Sequence, residues 1–79
     1  MEKIEVTARF NPEGEITPLE FNPGSGSIRV HAVGRSWKTE EGFHILVLDL
    51  QSRAHHLLFT PVEVTWYRIQ DLNPPPTPV

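Results

Sequence analysis

Apolar residues recur at every second position through much of this chain, a period that fits strands and not helices. Ile4, Val6, Ala8 and Phe10 alternate without a break with Lys3, Glu5, Thr7 and Arg9. Such a segment buries one face and solvates the other. In Asn11-Pro12-Glu13-Gly14 the proline presets φ and the glycine accepts φ > 0, so a reverse turn is expected. Residues 15–21 form a weaker strand, because Pro18 has no N–H for a ladder and confines it to an edge or an irregular crossing. Asn22-Pro23-Gly24-Ser25-Gly26 repeats the Asn-Pro turn signal.

Residues 27–38 make a third strand whose inward set begins as Ile28, Val30 and Ala32 and then changes phase to Val33, Arg35 and Trp37. A slip of that kind beside Gly34 predicts a β-bulge or sharp bend, as small barrels need at their corners. Residues 39–42 read as a compact hairpin loop. In residues 43–50 Phe43, Ile45 and Val47 share one face and Leu46, Leu48 and Leu50 the other, which marks a central strand. A two-residue loop at Ser52-Arg53 would set Leu48 opposite Leu57, Leu46 opposite Phe59, Leu50 opposite His55 and His56 opposite Asp49. That register joins the longest apolar sets. Pro61 ends the fifth strand, and residues 62–70 form the last, with Val64 and Trp66 on one face.

The expected fold is therefore all-β: a five- or six-stranded antiparallel meander curling into a small barrel or half-barrel of SH3-like or OB-like outline, with no helix. Residues 1–72 make one domain, and residues 73–79, with four prolines, a disordered or polyproline tail. At 79 residues, such a domain buries roughly 60% of its unfolded surface. Its core supplies on the order of 3–5 kcal/mol of net stability. The chain has no cysteine, so disulfides and thiolate zinc sites are excluded. No leader pattern or apolar span is read, and a cytoplasmic location with no membrane partner is expected.

The spacing Phe10-x3-Gly14-x3-Pro18-x2-Phe21, then Val30-x2-Val33-x3-Trp37, His44-Ile45-Leu46-Val47, Leu57-Leu58-Phe59 and Trp66 resembles a family of short, uncharacterised bacterial β-domains. Some of its members occur alone, and others near or attached to Y-family-type DNA polymerase proteins. The resemblance spans about residues 4–69. It implies a domain that opens with a strand, a glycine turn and a Pro-x2-Phe step and closes on a tryptophan strand. It implies no catalytic residue. The aromatic Trp-x-Gly-type turn of the family is replaced here by residues 22–26.

Chemistry-bearing motifs are sparse. The four histidines have no ligand spacing; His55 and His56 are strand neighbours that point to opposite faces, and only His44 could join one of them. Glu40 and Glu41 read as a solvated turn, and no nucleophile elbow or phosphate-cradling loop is present. No catalytic, cofactor or metal residue is therefore assigned, and an enzyme is not expected. A metal-dependent enzyme resting on the histidines is the remote alternative.

Trp37 and Trp66 are read first as core, while Arg29, Arg35, Tyr67 and Arg68 make the candidate surface for a partner or for nucleic acid. The net charge of −3 weighs against phosphate binding. The leading expectation is a non-enzymatic interaction module that binds an unidentified protein or pairs with itself as a homodimer, through an edge near Pro18. An accessory nucleic-acid-binding domain is the alternative.

Overall fold

The computed structural model describes residues 1–70. The expected tail, residues 73–79, lies outside them. Six strands follow one another as β1 (Glu2–Phe10), β2 (Ile16–Asn22), β3 (Ile28–Lys38), β4 (Phe43–Asp49), β5 (Ala54–Thr60) and β6 (Thr65–Ile69). Each pairs antiparallel with the next, and β6 returns to β1 through Glu2↔Arg68, Lys3↔Tyr67 and Ile4↔Trp66, which closes the barrel. Closure makes β1 and β6 partners over those three residues.

Inward residues fill the barrel. Phe21, Ile45, Val47, Leu57, Phe59 and Trp66 form its buried cluster, with Ile4, Val6 and Ala8 of β1 packed against it. Phe10 continues the alternation but is 56% exposed, resting edge-on against Phe59 at the end of the barrel. Pro18 and Phe21 are both buried although three residues apart, a spacing that a regular strand would split between its two faces. The ladder to β1 explains it: Thr7 pairs with Glu20 and Ala8 with Pro18, so Leu19 is the extra residue of a bulge.

The turns at Asn11 and Asn22 form as expected. Gly14 takes φ +84° and its N–H donates to the Asn11 carbonyl, while the Asn22 Oδ1 accepts from the N–H groups of Gly24 and Gly26. The phase slip in β3 is present but double, with register shifts between Val30 and Ala32 and again between Val33 and Ser36. The second shift carries Trp37 outside.

Two expectations are corrected. The β4–β5 register is Leu48↔Ala54, Leu46↔His56, Ile45↔Leu57 and His44↔Leu58, not Leu48↔Leu57. The connection is a three-residue loop, residues 50–52, with Ser52 at φ +63°. It closes on Asp49, whose N–H donates to the Arg53 carbonyl and whose carbonyl accepts from Ser52. The last strand is also shorter than read. Residues 61–64 form a turn, in which Val62 is 97% and Val64 76% exposed, and pairing with β5 begins at Thr65.

Two backbone positions give stability tests. Gly42 has φ +146°, and a Cβ there would overlap the Phe59 carbonyl oxygen. Gly42→Ala is expected to lower folding stability by about 2 kcal/mol or more, read from chemical denaturation. Val64 holds φ +52° although β-branched. Val64→Asn, suited to that conformation, is expected to raise stability by about 1 kcal/mol.

Candidate functional site: an aromatic and histidine row on the outer wall

In a small barrel the outer wall should be polar, and over β3–β6 it is not. The cross-strand registers align Trp37, His44, Leu58, Tyr67 and Lys3 in one row running over β3, β4, β5, β6 and β1. Beside it a second row carries Leu46, His56 and Ile69. Leu58 alternates with the core residues Leu57 and Phe59 and so lies outside, yet it is fully covered, with His44 and Tyr67 as its cross-strand neighbours. His44 is only 5% exposed. The wall thus has a small apolar layer of its own.

Trp37 roofs this layer. Its ring lies parallel to the His44 imidazole, with centroids 5.1 Å apart and planes 5° apart, and it leans on His56 at 5.2 Å. Arg35 sits 5.6 Å from the indole centroid, within cation–π range. His44 Nδ1 lies 2.8 Å from His56 Nε2, and His44 Nε2 lies 2.8 Å from the Thr39 hydroxyl. A nitrogen-to-nitrogen hydrogen bond holds one proton, so the pair cannot carry two charges without breaking. Burial, with His56 next in weight, lowers the His44 pKa below its ordinary value, against a smaller opposing effect of Glu41.

At the far side of the row the Tyr67 hydroxyl donates to Glu63 Oε1 at 2.8 Å. That bond raises the phenol pKa. A second carboxylate stands on the same side of the row, since Glu41 Oε1 in the β3–β4 loop lies 4.0 Å from His44 Nε2.

The expected candidate surface is divided. Tyr67 belongs to the row and Arg35 borders it through Trp37. Arg68 faces the opposite way, at the barrel's mouth, where its Nη2 lies 3.1 Å from Glu2 Oε1. Arg29 is exposed opposite Glu20 on β2, away from the row. Of the two tryptophans, Trp66 is core, as expected, and Trp37 is not. The expected His56–Asp49 pair is replaced by His55–Asp49, at 3.0 Å, because of the register change.

Among the described residues no group of three histidine or acidic side chains could hold a metal ion. An open groove of about 670 Å³ lies where β1 and β6 diverge, lined by Ile4, Glu5, Pro23, Val64 and Trp66 among others; it gathers no set of convergent catalytic groups. No helix among the described residues is long and apolar enough to cross a membrane. No protein-family model matches the chain, and no curated protein or solved structure is significantly similar to it.

Two groups with lowered pKa values contribute to the response on the acid side. A lowered His44 pKa means that the unfolded chain takes up the proton first, so its contribution is present above the ordinary value of 6.5 and declines as pH falls below it. Asp49 is held down to about 2, by the His55 hydrogen bond first and then those from the Arg53 and Gln51 N–H groups. Its contribution is present above the ordinary value of 3.8 and is lost as pH falls towards about 2. Denaturation midpoints should therefore fall between pH 7.5 and 5 in the wild type and change much less in His44→Gln.

Proposed function

We propose that this barrel is a non-catalytic binding module for extended polypeptide segments, and that Trp37 and Tyr67, standing over the covered His44 and Leu58, are its recognition surface. The observation that carries this reading is Trp37 itself, a large aromatic placed by a bulge on the outer wall and held there by a parallel imidazole. Aromatic side chains fixed over an apolar layer are what short polypeptide ligands dock on, because they supply contact area at little entropic cost.

Self-pairing through β2 has less support. Its ladder to β3 consists of Glu20↔Arg29 and Phe21↔Ile28, so residues 16–19 lack β3 partners. That stretch contains Pro18, which has no N–H, and the bulge at Leu19, and makes a poor template for another strand.

A nucleic-acid-binding reading draws on the Arg35–Trp37 contact and on the resemblance to polymerase-associated domains. Glu41 and Glu63, in two loops along one side of the row, oppose it, since a phosphate chain laid on the row would run beside both carboxylates.

Selection of linear peptides on the immobilised protein, followed by titration, tests the choice. Selected peptides should lose about 30-fold or more in affinity with Trp37→Ser, the size of an aromatic hot spot. Twelve-residue single-stranded DNA and RNA at low salt should leave the tryptophan fluorescence unchanged. Oligonucleotide binding that disappears with Arg35→Ala, and no selectable peptide, would contradict the proposal.

A further inference from the structure

β1 belongs to two ladders. It pairs with β6 over residues 2–4 on one edge and with β2 over residues 5–10 on the other. Among the described residues no strand continues the β6 ladder past Ile4↔Trp66. The turn at residues 61–64, with Val64 at φ +52°, takes the chain away, and an open groove separates β1 from Val64 and Thr65. From residue 5 onward that edge of β1 is left without a strand. We propose that a second copy of this chain occupies it, the two β1 strands lying antiparallel about a two-fold axis at Thr7.

Regularity singles out this edge. The register shift opposite Thr7 and Ala8 places its extra residue, Leu19, in β2, and β1 itself has none. β2 contains Pro18, and β3 is bulged twice. Both devices spoil an edge as a template for another strand.

Self-complementarity is the second support. An axis at Thr7 sets Thr7 opposite Thr7, Val6 opposite Ala8 and Glu5 opposite Arg9, the last two pairs occurring twice. Apolar residues then meet on the inward face and opposite charges on the outward one. An axis at Glu5 would oppose two glutamates, and one at Arg9 two arginines. An axis at Val6 or Ala8 would set Glu5 or Arg9 opposite Thr7. The charges thus select one register as well as one partner. Glu5 and Arg9 are both exposed, and neither is in an ion pair with another described residue, so both are available to a second copy. The paired residues are not those of the aromatic row, and the outcome is separate from that of the polypeptide-binding reading.

Sedimentation of the full chain across a hundredfold concentration range tests the pairing and should show a reversible monomer–dimer equilibrium. Glu5→Arg or Arg9→Glu alone makes both outward pairs like-charged and should weaken dimerisation about tenfold or more. An equimolar mixture of these two variants restores opposite charges in both pairs and should form a mixed dimer. The double swap, Glu5→Arg with Arg9→Glu, should dimerise as the wild type does. Association gained on mixing two variants that are monomeric alone cannot come from damage to the fold. A wild type that stays monomeric throughout overturns the proposal. So do single variants that dimerise as tightly as the wild type, or a mixture that gains nothing.

Discussion

The hydrogen bonds gathered by one carboxylate, Asp49, set what the barrel wall looks like. Its Oδ1 accepts from the N–H groups of Gln51 and Arg53, and its Oδ2 lies 3.0 Å from His55 Nε2. These contacts hold a three-residue loop in place of a two-residue one, and loop length fixes hairpin register. A register change by an odd number of residues exchanges the faces of a strand. Because the loop closes on Asp49, Leu57 and Phe59 face the core, and His56 and Leu58 face out beside His44 and Leu46. The outer row exists because of this turn.

The second determinant is the pair of bulges in β3. A strand of eleven residues that stayed in phase would have kept Trp37 off the His44 row. Two extra residues, one on each side of Val33, bend β3 around the barrel and leave Trp37 opposite His44. Burying His44 against an indole and a second imidazole then gives a wall in which polar groups are paired inside an apolar patch: Thr39 holds one nitrogen and His56 the other. Such pairing lets the patch exist without the cost of unsatisfied buried donors. It also makes the wall sensitive to protonation.

Much of the architecture could be read from residue order. The Asn11 and Asn22 turns, the hairpin at residues 39–42, the first strand and the slip near Gly34 follow from local rules and are found where those rules put them. The register of β4 on β5 does not follow from maximising apolar contact, because Leu48 and Leu50 stay largely outside, 37% and 71% exposed. The signal that bears on it is Asp49 four residues before Arg53, a side chain able to cap its own turn. The divided fate of the expected surface was also legible: Tyr67 and Arg68 are adjacent in a strand and must face opposite ways. Trp37, by contrast, depends on two bulges whose combined effect no local pattern fixes. Val62 and Val64 continue an apolar alternation that the turn after Pro61 breaks, with Val64 in a left-handed conformation.

The measurement that bears most directly on this account is the solution-state pairing of β4 with β5, read by NMR at neutral pH. Backbone contacts between His44 and Leu58, together with a nitrogen–nitrogen coupling through the His44–His56 hydrogen bond, are the expected result. They would place the histidine pair on the outer wall beneath Trp37. Contacts between Leu48 and Leu57, with His56 beside Asp49, would dissolve the row and contradict the account.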